Sequence, residues 1–139
     1  MPTENPSIEA WLRDFSAVVR DRDFAAGRSF FADDAVAFGT FARAVTGLEH
    51  IEREQWRQVW PRIRGFRFDA DPIARVAGDS AWIAATWASE ATGPDGRAFE
   101  RTGRATFVLG RRGGRWVCLH SHLSLLPSQS EAAHGRAAG

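Results

Sequence analysis

His120 and His122 are the pair in this chain best spaced for chemistry. On a strand, residues i and i+2 share a face, so the two imidazoles could ligate a metal or pass protons. A metal site needs a third ligand, and no His, Cys or carboxylate stands at an obvious spacing from them, so no metal is expected. The residues around the pair point to a plainer role. Val117, Leu119, Ser121, Leu123 and Leu125 fall on one face of the segment, and Trp116, Cys118, His120, His122 and Ser124 on the other. With the apolar set turned inward, the histidines lie on the outer side, where they contact a second subunit.

Glu90 and Arg101 form the second candidate pair. They flank the turn Gly93-Pro94-Asp95-Gly96 and are expected to face the mouth of an interior. Glu90 could serve as a general base tuned by Arg101. The alternative is a cross-strand ion pair contributing ~0–1 kcal/mol when exposed. Opposite charges are common beside hairpin turns, which favours the ion pair. Asp33-Asp34 stands between a helix and a strand, where capping and turn hydrogen bonds account for it. Asp69 and Asp71 beside Pro72 read as solvent-facing, and His50 has charged neighbours. Arg111-Arg112-Gly113-Gly114-Arg115 reads as a charged hairpin turn, because no stacking platform for bases accompanies it. No glycine-rich phosphate loop and no nucleophile–His–acid arrangement is recognisable.

Composition removes further chemistry. There is no Tyr and no Lys, and all eighteen basic residues are Arg. That excludes a Schiff-base lysine and a phenolic acid or oxyanion donor. A net charge of +1 asks for neither nucleic acid nor an anionic membrane. A single cysteine, Cys118, excludes an internal disulfide and a cysteine-rich metal site. No signal-peptide pattern and no membrane-length apolar run is present, so a cytoplasmic protein without a cofactor is expected.

These side chains need elements to position them. Asn5-Pro6 is a helix start, followed by one apolar face of Ile8, Trp11, Leu12, Phe15, Val18 and Val19. Asp23 can cap a second helix reaching Phe31. Ala35 to Phe41 reads as a short strand, and Thr46-Gly47 opens a third helix through Ile51, Gln55, Trp56 and Trp60. Strands follow at Phe66 to Ala77 (edge or broken, because of Pro72), Ser80 to Thr92, Arg97 to Leu109 and Arg115 to Ser124. The expectation is an α+β fold, a cone-shaped curved antiparallel sheet with three helices from the N-terminal half across its concave face. Residues 1–127 form a single domain in this reading, and 128–139 a fraying tail.

Four segments then carry a resemblance. They are Asp21-Arg22-Asp23-Phe24, Phe31-Ala32-Asp33-Asp34-Ala35-Val36, Thr46-Gly47-Leu48-Glu49, and Trp116 to Ser124. In order and spacing the chain resembles the nuclear transport factor 2-like superfamily, in its SnoaL-like branch, from about Ile8 to Leu126. The resemblance implies the cone fold but leaves function open, since the fold hosts enzymes and binding modules alike. Ketosteroid isomerase, a similar fold, uses a Tyr on the first helix, an Asp base on the first strand and a protonated Asp on the penultimate strand. Those positions correspond here to Phe15, Gly39 and Ala105. Limonene epoxide hydrolase and scytalone dehydratase types rely on Tyr, which is absent. The association domain of the calcium/calmodulin-dependent kinase shares the spacing of Trp116, His120, His122 and Ser124. Its pocket arginines, a carboxylate-binding cluster, correspond to Thr86, Phe107 and Leu123, so the resemblance implies that this cluster is absent here.

Inward positions follow from apolar character and from that resemblance. They are Leu119, Ser121 and Leu123 on the last strand, Arg101, Gly103, Ala105 and Phe107 before it, and Trp82, Ala84, Thr86, Ala88 and Glu90 on the strand from Ser80. Several are small and leave space, which Phe15, Trp56 and Trp60 close. The expected ligand-binding set is Phe15, Trp56, Trp60, Ala84, Thr86, Ala105, Phe107, Leu119, Ser121 and Leu123, around a small apolar organic molecule. The alternative is that Trp and Phe fill the interior. Trp87, Trp116, His120 and His122 are expected on the outer face of a homodimer. An isomerase, cyclase or hydrolase, or a pure self-association module, are the competing functions.

Overall fold

The computed structural model describes residues 4–40 and 43–127. Phe41, the expected end of the first strand, and the expected tail 128–139 lie outside the described residues. Helix α1 spans Glu4–Asp21, beginning one residue ahead of the Asn5-Pro6 signal. Its apolar face, Ile8, Trp11, Leu12, Phe15 and Val19, is buried, as the i, i+3, i+4 spacing requires. Helix α2, Phe24–Arg28, is capped by Asp23, whose carboxylate accepts from the Ala26 amide at 3.1 Å. It stops short of the expected Phe31, which instead opens strand β1, Phe31–Phe38. Asp33 and Asp34 therefore lie within that strand, with Asp34 3.8 Å from Arg112, and not in a capping turn.

After a short β2, Val45–Thr46, the third helical segment runs unbroken through four geometries. These are α3, Leu48–Ile51, a π-helical turn, Glu52–Trp56, α4, Arg57–Val59, and a 3-10 turn, Trp60–Arg62. Strands β3, Ile63–Phe68, and β4, Ile73–Ala77, replace the single expected strand. The chain bends between them at Asp71, which has φ +66°, and at Pro72, which has no N–H for a ladder. Strands β5, Ser80–Thr92, β6, Ala98–Arg112, and β7, Arg115–Leu125, complete the meander.

The seven strands form one curved sheet in the order β2-β1-β7-β6-β5-β3, with β4 also on β5. All pairs are antiparallel except β1 with β7, which are parallel. The helices cover the concave face, and the architecture is an α+β cone. Rings make much of the core. Phe15 stands within 6.3 Å of the rings of Trp11, Phe30, Phe31, Trp56, Trp60 and Phe107.

Two strands differ in phase from expectation. In β5 the buried set is Ala81, Ile83, Trp87, Ala88, Ser89 and Ala91, so that of the residues expected inward Ala88 is buried, whereas Trp82, Thr86 and Glu90 are exposed. The inward set expected there, with Ala84, Thr86 and Glu90, is displaced by one residue, which turns each side chain to the other face. Trp82 and Trp87 are an odd number of positions apart, so a regular strand can bury only one. Trp87 is the one buried, because it pairs with Gly103 of β6, where no Cβ obstructs the indole. Trp82 stays outside, 5.9 Å from the guanidinium carbon of Arg75.

In β7 the expected alternation breaks at a bulge. Leu109 of β6 pairs with Cys118, and the next residue back, Val108, pairs with His120, which leaves Leu119 as the extra residue. Upstream of the bulge the inward residues are Trp116 and Cys118, both buried; downstream they are Ser121 and Leu123. Leu119 packs over Gly110 on the convex side. Trp87 and Trp116, expected on the outer face, are thus core residues.

Candidate functional site

A cleft of about 70 Å³ remains between the third helical segment and the concave sheet. The π-helical turn shapes its helical wall. An i→i+5 turn brings residues five apart onto one side, and here it aligns Glu52 with Arg57 at 2.6 Å while Gln55 and Trp56 line the cleft. Trp56 and Trp60 stack at 4.8 Å, and Trp60 stacks in turn on Phe24 of α2 at 5.2 Å. Gly27 makes this packing close: a Cβ there would stand 3.0 Å from Trp56 and 3.1 Å from Trp60.

Of the residues expected to bind a ligand, Phe15, Trp56, Trp60, Phe107, Ser121 and Leu123 line this cleft. Ala105 is buried on the same face without lining it. Ala84 and Thr86 lie on the opposite face of β5, where Thr86 donates to the Asp69 carboxylate. Leu119 is carried away by the bulge. The cleft also takes in Gly39, Thr40, Gln55, Ile63, Phe66 and Trp87, which sequence reasoning did not place there. Gln55 had a visible signal, as the polar member of an otherwise apolar helix face.

Glu90 and Arg101 do not meet. Arg101 pairs across the ladder with Ser89 and points inward, whereas Glu90 pairs with Glu100 and points out. Glu90 stands 3.6 Å from Arg64, and Glu100 stands 3.2 Å from Arg67. Among the described residues, Arg101 is the one ionisable residue that lines the cleft. Its Nη2 donates to Thr40 Oγ1 at 2.9 Å, its guanidinium carbon lies 5.6 Å from the centre of a Trp87 ring, and burial pulls its pKa down. An outer groove of about 200 Å³ shares Thr40, Val59, Ile63 and Arg101 with the cleft.

Glu52 carries the other buried charge beside the site. Burial raises its carboxyl pKa, but hydrogen bonds from Arg28 and Arg57 and their positive charges outweigh that, and the net direction is down. His120 and His122 are on the convex face. His120 Nδ1 donates to the Val36 carbonyl at 2.8 Å, and Phe38 packs its ring against both imidazoles, at 5.1 and 5.2 Å. Among the described residues no group of three or more His, Cys, Asp or Glu side chains converges as a metal site. Among them, no helix is long and apolar enough to cross a membrane.

A curved sheet with helices across its concave face is the arrangement that the resemblance of the four segments implied. A family model described as the SnoaL-like domain matches residues 8–128. The chain belongs to the SnoaL-like domain family. Solved structures similar to this SnoaL-like domain include a ketosteroid isomerase-like protein from Erwinia carotovora atroseptica. It is 18% identical with a TM-score of 0.76, over 91% of this chain and 98% of that one. A nuclear transport factor 2-like superfamily protein from Salmonella enterica serovar Typhimurium is 19% identical with a TM-score of 0.75, over 85% and 87%. The association domain of C. elegans CaMKII is 18% identical with a TM-score of 0.69, over 87% and 95%. At these identities the likeness is one of fold. A comparison with curated proteins found no match. Phe15 and Gly39, aligned by resemblance with the isomerase's Tyr and Asp positions, do line the cleft of this SnoaL-like domain, but neither carries an acid or a base.

Proposed function

We propose that this SnoaL-like domain, residues 1–127, binds a small, mostly apolar organic molecule in the cleft and does not perform acid–base catalysis there. One observation carries the reading. The cleft is walled by aromatic and aliphatic side chains with a few polar groups, and among the described residues no carboxylate or imidazole lines it. The nearby acids are engaged elsewhere, Glu52 with Arg28 and Arg57, Glu90 with Arg64, and Glu100 with Arg67. An isomerase, cyclase or hydrolase needs a group that moves a proton at the substrate, and a guanidinium stays charged near neutral pH.

Volume limits the ligand. Drug-sized molecules occupy pockets of ~300–1,000 Å³, well above the 70 Å³ of this cleft. A single ring is the size class, extended outward into the shared groove. The test is a thermal-shift screen of single-ring compounds, read together with quenching of tryptophan fluorescence. The expected result is a set of ring compounds that raise the melting temperature of the wild type and not of Leu123→Trp, which fills the cleft. A screen in which no ring compound stabilises the wild type overturns the reading.

Self-association through the convex face is a second reading, with its own support. Phe38, Ile73 and Trp82 are exposed on strands β1, β4 and β5, at 39–51%. With His120 and His122 alongside Phe38, they replace the expected Trp87 and Trp116 as the contact surface for a second copy.

A further inference from the structure

We infer that the ligand of this cleft carries a carboxylate, and that Arg101 is the group that holds it. The inference rests on the small-molecule reading above and adds the charge class of the ligand. Arg101 occupies the junction of the inner cleft and the outer groove, since it lines both. Among the described residues no carboxylate lies within ion-pair distance of it. Its neighbours Arg64 and Arg67 are paired with Glu90 and Glu100, and those pairs are exposed. A charge removed from water costs free energy unless a partner satisfies it, so a partly buried, unpaired guanidinium in a cavity wall is a receptor for an anion.

The guanidinium is also held in place. The bond to Thr40 Oγ1 uses one of its five N–H donors, and Trp87 lies beneath it. Donors remain in the planar fork that matches a carboxylate in two parallel hydrogen bonds. Two further polar groups around it have no partner among the described residues. Gln55, 9% exposed, lines the cleft with its Nε2 unbonded. Ser89, fully buried, presents an unbonded Oγ directly across the ladder from Arg101. Arg101 and Gln55, both able to donate to an oxyanion, therefore line the cleft, and Ser89 is paired with Arg101 on the ladder without lining it. Rings form much of the rest of the wall, among them Phe15, Trp56, Trp60 and Phe66. One cation suits a monoanion, and the walls suit a planar ring, which together describe a monocyclic carboxylic acid.

The experiment is calorimetric titration of the full chain with benzoate and phenylacetate, and with the neutral counterparts benzamide and benzyl alcohol, on the wild type, Arg101→Gln and Arg101→Lys. Benzoate or phenylacetate is expected to bind the wild type at least about tenfold tighter than its neutral counterpart. Arg101→Gln is expected to erase that preference while still binding the neutral compound, and Arg101→Lys to keep part of it. If charged and neutral compounds bind the wild type equally, the carboxylate inference is overturned and the apolar-cleft reading stands. If no ring compound binds at all, both fall. Circular dichroism establishes that the variants are folded. Should Arg101→Gln not fold, the wild-type preference for the acid and its weakening by salt decide the matter, and a preference unaffected by salt overturns the role of Arg101.

Discussion

Trp87 and Gly103 face each other across β5 and β6, and the indole fills the space that a Cβ at position 103 would occupy. The indole Nε1 donates to the Arg104 carbonyl at 3.1 Å, which fixes the ring against the ladder. The same ring forms part of the cleft wall and lies under the Arg101 guanidinium. A missing side chain on one strand thus sets the shape of the site on the next.

Gly103→Ala is expected to destabilise the fold by about 1–3 kcal/mol, as overpacked cores do. The added methyl meets both the Trp87 ring and the backbone carbonyl of Ser124, and the carbonyl cannot rotate away. Urea denaturation of the two proteins measures the difference. An unchanged midpoint would show that the strands slide apart at no cost.

Acid stability should depend on Glu52. Its pKa is held below the ordinary value of 4.5 in the folded chain, so its ion pairs stabilise the fold above the unfolded pKa. That contribution is lost as pH falls through the lowered folded value. Glu52→Gln is expected to lower stability at pH 7 by about 1–2 kcal/mol, moderated because Arg28 and Arg57 are half exposed. The variant should also lose less stability than the wild type between neutral and strongly acidic pH. Melting curves across that range check both statements.

Cys118 is fully buried, and burial pushes its thiol pKa far up, so little thiolate is available. The native protein should therefore leave an aromatic disulfide reagent unreacted over minutes and consume one equivalent after unfolding in guanidinium. Prompt reaction of the native protein would mean that β7 opens locally.

Trp82→Glu tests the convex face. If two copies meet there, the wild type sediments as a dimer at micromolar concentration and the variant as a monomer with the same circular dichroism. Little loss of stability is expected, because Trp82 is 42% exposed in the single chain. A wild type that is monomeric at high concentration removes the self-association reading.

Much of the architecture is visible in the residue pattern. The faces of α1 and the order of helices and strands follow from periodicity, and the two glycine turns of the meander follow from local chemistry. The β5 phase was not visible. Both faces of β5 are rich in alanine and each carries a tryptophan, so alternation distinguishes two sides without saying which is inside. Glu90 and Arg101 were separated by the same one-residue slip. Leu119 was misplaced because a bulge leaves no mark in an alternating run of Val, Leu, Ser and Leu.

The composition excludes tyrosine and lysine chemistry at any site, and the period of each segment establishes the class of fold, because both are properties of the chain before it folds. The register of β5 on β6, the bulge in β7 and the cleft left among the rings arise from contacts between residues distant in sequence. Gly103 admits Trp87 only when the two strands lie side by side, and among the described residues Arg101 has no carboxylate partner, with Glu90 turned to the far side by that register. Which side chains are neighbours depends on pairing and packing, and these are energies of the assembled sheet and helices.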